Sequence, residues 1–262
     1  MPVLLVGIAL LGLAIGSFLN VVVYRVPTGT SLAKPASHCP WCQTPIRARH
    51  NVPVLGWLLL KGKCHDCRKP ISVRYPLVEL SCALLFVAIA IRIAKLHQLA
   101  ALPAYLYFAA AGLALALIDV DHHRLPNKIV LPSYPILLIL LGSAAILRQD
   151  WAALERFLIG GASLYLLYLL IRLISPAGMG FGDVKLAGLV GSLLGYLSWS
   201  ALFVGAFAAF LIGGVAGLAV MASRHGDRKT AVPFGPFMIV GALTAVFAAG
   251  PLASGYLSLV GA

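Results

Sequence analysis

Eight stretches of this chain are apolar for so long that a water-soluble fold has nowhere to put them. They cover residues 3–24, 77–93, 99–118, 129–147, 154–174, 184–198, 201–221 and 235–259. Most approach the roughly 20 residues a helix needs to cross a bilayer's hydrocarbon core. Within lipid the backbone must satisfy its own hydrogen bonds, which a helix does. Composition agrees: 61% of residues are hydrophobic and 11% charged, against about 25% charged in an ordinary soluble domain. The expected fold is an all-α polytopic membrane protein of about eight transmembrane helices. The sixth run, 184–198, is short and contains glycine, so its limits are the least defined.

The formal charge of +12 raises nucleic acid as a partner. No Arg/Lys-rich arm or stripe is present to neutralise a phosphate backbone, and the basic residues cluster between apolar runs. They therefore read as topology signals and the partner surface as membrane lipid, with no nucleic acid. The first run follows Met1-Pro2, without a positive side chain before it, and is followed by Arg25. This predicts an uncleaved first span with its N-terminus outside. Alternating spans then place the connections 25–75, 120–128, 175–183 and 223–234 in the cytoplasm. Sixteen of the 20 Lys and Arg fall on or beside them; Arg92, Lys95, Arg148 and Arg156 fall on the other side.

Residues 25–74 form the one substantial polar segment. It holds nine of the 20 Lys and Arg and four of the five cysteines. Cys39-Pro40-Trp41-Cys42 and Cys64-His65-Asp66-Cys67 are two CxxC pairs separated by 21 residues. Each can present two thiolates to one metal, and together they make a tetrahedral four-cysteine zinc site. The competing readings are disulfides, disfavoured on the cytoplasmic side, and a redox CxxC, which lacks its surrounding pattern. Four thiolates leave no open position, so the zinc reads as structural. About 50 residues bury little core, and a metal staple supplies what is missing. His38, just before the first pair, and His65, within the second, read as surface or supporting residues; Cys82, within an apolar run, reads as a buried thiol.

The whole chain has eight Asp and Glu. Asp119 closes the third apolar run, and Asp183 stands in Gly180-Phe181-Gly182-Asp183-Val184-Lys185 at the start of the sixth. A carboxylate in or near hydrocarbon costs several kcal/mol, so such residues usually face a polar cavity and act there. Two close carboxyls cannot both ionise cheaply; a pair sharing one proton can activate water and protonate a departing amine. Gly180 and Gly182 leave room for an extended substrate backbone. Lys185 is placed to bias Asp183 or to meet a substrate carbonyl, and reads equally as a positive flank. Asp121, two residues past Asp119, points to another face or lies in the loop, with His122 and His123. Glu79, at the start of a span, is placed to attract a basic peptide or to serve the structure.

Taken together, these motifs resemble the bacterial type IV prepilin peptidases, over nearly the whole chain. The resemblance rests on Gly16-Ser17-Phe18-Leu19-Asn20 running to Arg25, the two CxxC pairs, Asn51-Val52-Pro53 and 71–79 (Ile71-Ser72-Val73-Arg74-Tyr75-Pro76-Leu77-Val78-Glu79). It continues in 119–127, Gly180 to Lys185 and Pro233-Phe234-Gly235-Pro236. It implies a GxGD-type intramembrane aspartic protease that cleaves the basic leader of prepilins and pseudopilins, serving type IV pili or type II secretion. It also implies N-methylation of the new N-terminus with S-adenosylmethionine. The family's catalytic aspartates match Asp119 and Asp183. Where the family commonly has Leu-Pro-Asp, this chain has Leu125-Pro126-Asn127. The methyltransferase half rests on the resemblance, since no GxGxxG follows a strand.

The expected organisation is a first transmembrane helix at 1–25, a cytoplasmic zinc-binding domain at 26–76 and a membrane-embedded protease domain at 77–262. Localisation is the bacterial inner membrane, with the active site at the cytoplasmic face. The alternatives are a protease without methyltransferase activity and an ion-coupled transporter, whose carboxylates would lie at the midplane between repeats.

Overall fold

A computed structural model describes residues 2–176, 178–222 and 233–260; these are almost entirely helical, with no strand among them. Arg224, Arg228 and Lys229, part of the charge asymmetry, lie outside the described residues. The chain divides into two compact units, Met1–Ala94 and Lys95–Ala262.

The first unit contains α1 (Pro2–Thr28), the short α2 (Leu55–Leu59) and α3 (Arg74–Lys95). α1 continues past its apolar run through Arg25 and Pro27. It stops where Gly29 takes a left-handed φ of 70° and the Thr30 N–H turns back to the Arg25 carbonyl, a conformation glycine adopts without strain. The buried Arg25 side chain then ties down the chain that follows. Its guanidinium donates to the carbonyls of Ser31 (2.9 Å) and Pro35 (2.7 Å). α1 and α3 pack through small residues. A Cβ on Gly12 would lie 2.6 Å from the Ala83 Cα, and one on Gly16 2.6 Å from the Glu79 Cα. In lipid no hydrophobic force joins helices, so such close backbone approach supplies the attraction.

The second unit comprises α4 (Leu102–His122), α5 (Asn127–Arg148), α6 (Trp151–Ile174), α7 (Phe181–Leu197), α8 (Trp199–Ala222) and α9 (Gly235–Val260). Across both units seven helices among the described residues are long and apolar enough to cross a membrane. The sixth apolar run forms α7, of 17 residues. At 1.5 Å per residue it spans about 26 Å, somewhat less than the hydrocarbon core.

α7 is short because it is the helix the others enclose. Twelve of its 17 residues are buried, from Val184 to Tyr196. Its carbonyls receive side-chain donors from three neighbours: Tyr134 of α5 on Lys185 (2.6 Å), Tyr105 of α4 on Leu193 (3.3 Å) and Arg156 of α6 on Gly195 (3.3 Å). Against α6 it packs glycine to glycine, with a Cβ on Gly160 falling 2.6 Å from the Gly191 carbonyl oxygen. The small residues of 205–214 act in packing at two positions. Gly205 faces Leu194 and Ala245, and Gly213 faces Phe234 and Phe237; Gly214 has nothing within 4 Å.

Two helical glycines separate packing from propensity. A methyl group added at Gly142 would have no neighbour within 4 Å, so Gly142→Ala should raise the apparent Tm in detergent, by up to about 1 kcal/mol of stability. Gly160→Ala gains the same propensity but meets the Gly191 backbone; it should lower Tm, by about 1–3 kcal/mol. Equal shifts for the two variants would contradict the close α6–α7 approach.

Candidate active site and metal-binding cluster

The second unit brings two carboxylates to one end of its bundle. Asp183 is the third residue of α7, and Gly180 caps that helix. The two are joined reciprocally: the Gly180 N–H donates to Asp183 Oδ2 (3.1 Å), and the Asp183 N–H donates to the Gly180 carbonyl (3.2 Å). Asp183 is half-buried. Asp119 lies in the last turn of α4, which ends when His123 turns left-handed (φ 50°) and its N–H bonds the Asp119 carbonyl. The side chain is 5% exposed, and its Oδ2 accepts the N–H of Gly235, the first residue of α9, at 3.0 Å. Each carboxylate thus occupies the beginning of a helix, where free N–H groups and the helix dipole favour an anion.

Leu125, in the loop between α4 and α5, links the two positions. A Cβ on Gly182 would lie 2.9 Å from the Leu125 Cβ. One on Gly235 would lie 3.1 Å from its Cδ2 and 2.7 Å from Asp119 Oδ2. Both glycines are therefore needed for the close approach around this leucine. Asp119 accepts the N–H of Gly235, and the preceding Phe234 reaches Tyr168 of α6. The Tyr168 ring is buried and packs on Phe210 (5.2 Å) and Phe234 (6.1 Å), which pack on each other (5.6 Å). An aromatic wall from α6, α8 and the start of α9 thus borders the carboxylates.

The other candidate residues are placed as follows. Gly180 is exposed and Gly182 half-buried. The Lys185 ammonium donates to Asn127 Oδ1 (3.0 Å) and lies 4.7 Å from the Phe181 ring centre. Among the described residues no ion pair joins it to Asp183. Asp121 is exposed on the final turn of α4. Glu79, in the first unit, is buried and accepts the Val54 N–H at 2.7 Å. Sequence reasoning left Leu125, Tyr168 and Phe210 unassigned. Leu125 stands in the motif at 119–127, but its contacts, like those of Tyr168 and Phe210, join elements distant in sequence. Phe234 and Gly235 stand in the motif at 233–236, but their function in it is visible only in three dimensions.

In the first unit the two CxxC pairs fold alike. The Cys39 N–H bonds the Thr44 carbonyl (3.0 Å) and the Gln43 N–H returns to the Cys39 carbonyl (2.9 Å). The Cys64 N–H bonds the Lys69 carbonyl (2.8 Å) and the Arg68 N–H returns to that of Cys64 (3.1 Å). Gln43 and Arg68, at equivalent positions, both take a left-handed φ, of 57° and 59°. Antiparallel bridges His38–Pro45 and Lys63–Pro70 close the two turns. This tertiary duplication brings the Sγ atoms of Cys39, Cys42, Cys64 and Cys67 all within 4.8 Å of one another. The Cys39–Cys67 sulfur separation is 3.8 Å, the edge expected of a tetrahedron with metal–sulfur bonds of about 2.3 Å. The donor set and its geometry fit one metal ion.

The electrostatics point the same way. Hydrogen bonds from the Thr44 hydroxyl and N–H hold the Cys42 thiol down at about 6. The N–H groups of Cys67 and Asp66 lower Cys64. Cys67 receives a lowering bond from the Lys69 N–H, but burial and its three sulfur neighbours push it up to about 12. Four thiolates cannot be gathered without a cation; a bound metal resolves the conflict by deprotonating all of them.

A membrane-embedded helical unit with two helix-capped carboxylates, preceded by a four-thiol metal knuckle pair, defines a narrow class. Residues 10–93 match the bacterial peptidase A24 N-terminal domain, and residues 106–218 match the type IV leader peptidase family. The chain is 36% identical to a prepilin leader peptidase/N-methyltransferase of Pseudomonas putida, over 96% of this chain and 93% of that protein. It is 34% identical to the protein so named in Stutzerimonas stutzeri (94% and 91%), and 33% to that of Pseudomonas aeruginosa (96% and 93%). The chain belongs to this family of prepilin leader peptidases. No solved structure matches it significantly.

Protein purified without chelator should carry one metal ion per chain by elemental analysis, and Cys39, Cys42, Cys64 and Cys67 should resist alkylation until it is removed. Rapid alkylation of all four in the untreated protein would count against the site.

Proposed function

We propose that this protein removes the basic leader of type IV prepilins and pseudopilins at the cytoplasmic face of the bacterial inner membrane, with Asp119 and Asp183 as its catalytic pair. The observation that carries this reading is a pair of carboxylates, each accepting an N–H at the start of a helix, whose two helix starts pack on the one side chain of Leu125. The ionised member takes a proton from water as the water oxygen bonds the scissile carbonyl carbon. The protonated member gives its proton to the amide nitrogen as the carbon–nitrogen bond breaks. Gly180, exposed beside Asp183, leaves room there for an extended substrate backbone, while Gly182 lets the start of α7 approach Leu125. Lys185, anchored on Asn127, lies one turn or less from the site and can meet a substrate carbonyl.

The charge asymmetry supports the cytoplasmic assignment. Arg124 and Lys128 flank the α4–α5 loop, and Arg172 and Lys185 flank the start of α7, as the positive-inside rule expects of one cytoplasmic end. A prepilin's apolar helix can partition into the bilayer while its leader stays in the cytoplasm, which brings the scissile bond to the depth of these helix ends and favours lateral entry. In this reading 1–25 is the first transmembrane helix, 26–76 the zinc-binding domain and 77–262 the protease domain. The thiol-only donor set favours zinc, held for structure. Relatives named N-methyltransferases support a second step, transfer of a methyl group from S-adenosylmethionine, a substrate, to the new N-terminal amine. An ion-coupled transporter would place its carboxylates near the midplane; these end their helices.

Asp119→Asn and Asp183→Asn should each lower cleavage of a prepilin by at least about 100-fold in membrane-embedded enzyme, with insertion unchanged. Asp121→Asn should retain most activity. Mass spectrometry of the pilin N-terminus reads cleavage and methylation together. Full turnover by either Asn variant removes that residue from the mechanism.

Gly182→Val should also abolish cleavage while leaving the metal content intact, because its Cβ falls 2.9 Å from the Leu125 Cβ and would displace the start of α7 that carries Asp183. Normal turnover by this variant would argue against the need for the close Gly182–Leu125 approach.

A further inference from the structure

The first unit carries an apolar face that metal binding does not use. Leu55, Leu58 and Leu59 are i, i+3 and i+4 neighbours on α2, and they are 57%, 55% and 77% exposed. The opposite side of α2 is committed inward: Trp57 donates its Nε1 to the Ile71 carbonyl at 3.1 Å, and its ring lies against Gly62. Beside the leucines is a depression of 530 Å³ lined by Leu59, Leu60, Lys61, Lys63, His65 and Arg68.

Depth identifies what covers this face. α1 and α3 pack against each other within stretches long and apolar enough to cross a membrane, Gly12 on Ala83 and Gly16 on Glu79. Glu79 is the sixth residue of α3, about 8 Å along its axis. Its buried carboxylate accepts the N–H of Val54, the residue that caps α2. Val54 holds a φ of 61° to reach it, an unusual conformation for a β-branched side chain. α2 therefore starts alongside the first turns of a membrane helix instead of standing out in water. Both ends of the segment are tied to the same membrane face, since α1 ends at Thr28 and α3 begins at Arg74. Chemistry agrees with depth. Outward leucines are followed at once by Lys61, Lys63 and Arg68, the order of groups met on passing from acyl chains to headgroups.

We propose that α2 and the basic depression form a lipid-docking face: Leu55, Leu58 and Leu59 enter the headgroup–acyl boundary, and Lys61, Lys63 and Arg68 hold the phosphates of anionic lipids. The face lays the metal-binding unit against the bilayer, which restrains it beyond its two helical tethers. Each basic side chain near an anionic surface adds about fivefold in preference. The inference needs the membrane helices and not the peptidase reading, so its test requires no turnover.

The full chain is reconstituted in nanodiscs of equal phosphatidylcholine and phosphatidylglycerol, with the photoreactive residue benzoylphenylalanine at position 58 or 59. Irradiation should give lipid adducts at both positions, enriched in phosphatidylglycerol. Lys61→Gln/Lys63→Gln/Arg68→Gln should lose that enrichment at least about tenfold while keeping its metal. Adducts to the protein itself, or none to lipid, would show the leucine face to be covered otherwise and overturn the proposal. So would phosphatidylglycerol enrichment unchanged in the triple variant. Protection of Lys61 and Lys63 from acylation by S-adenosylmethionine alone, and not by lipid, would assign the depression to the methyl donor and overturn it too.

Discussion

Among the described residues, four acidic side chains accept an N–H at the beginning of a helix. Glu79 does so for α2, Asp119 for α9, Asp150 for α6 and Asp183 for α7. In an aqueous protein such caps are minor stabilisers, worth about 1 kcal/mol. Among apolar helices they decide where a carboxylate can exist, because an unpaired one is costly. Asp150 and Asp183 cap the helix they belong to. Glu79 and Asp119 cap a helix that is remote in sequence, and so also fix tertiary structure. Asp119 and Asp183 serve helix starts that pack on the same leucine, Leu125, and this turns two structural caps into a candidate reaction site.

That arrangement depends on how closely the helices of the second unit approach. α7 carries Asp183, and its position is set by glycine contacts with α6 and by side-chain donors from α4, α5 and α6 on its carbonyls. α9 carries Gly235, whose missing side chain lets Asp119 reach the backbone. Leu125 lies against both helix starts, so the α4–α5 loop registers one against the other. A methyl group at Gly182 or Gly235 would act on this register before it acted on any substrate.

The long helices were legible because hydropathy over 20 residues is a strong signal, and α7 was marked as the weakest for the reason that makes it central. Its run is short and rich in glycine, which reads poorly as a span and packs well as a core helix. The limits at Thr28 and Arg74 were not legible: α1 carries a charged Arg25 past its apolar run because the guanidinium finds three carbonyls in the following loop. The four cysteines were legible from spacing, whereas the matching fold of the two knuckles was not. Their shared Cys-x-x-Cys-x-x-Pro-Ile pattern, Cys39 to Ile46 and Cys64 to Ile71, marks the repeat but not the backbone bonds and two left-handed residues that make the folds alike. Lys185 shows the limit for single charges. Its sequence neighbour is Asp183, but the start of α5 supplies Asn127, and that amide takes its ammonium.

The metal cluster and Glu79 answer the same shortage. The segment between α1 and α3 is too small to bury a core that would hold it in shape. A metal at four thiolates would join its two halves, residues 38–45 and 63–70, where few side chains could. The cluster alone does not fix α2, which lies in the chain between the halves and touches the second through Trp57 and Ile71. The Glu79–Val54 bond does, and it draws on the one partner near at hand that is already rigid, a membrane helix. A buried carboxylate at that depth would otherwise be a liability. Its conformational cost is met by a strained valine at the start of α2, so the position of this helix is selected against the preference of its own residues. That strain makes α2 a positioned element of the first unit, and the leucines it presents follow from where Glu79 holds it.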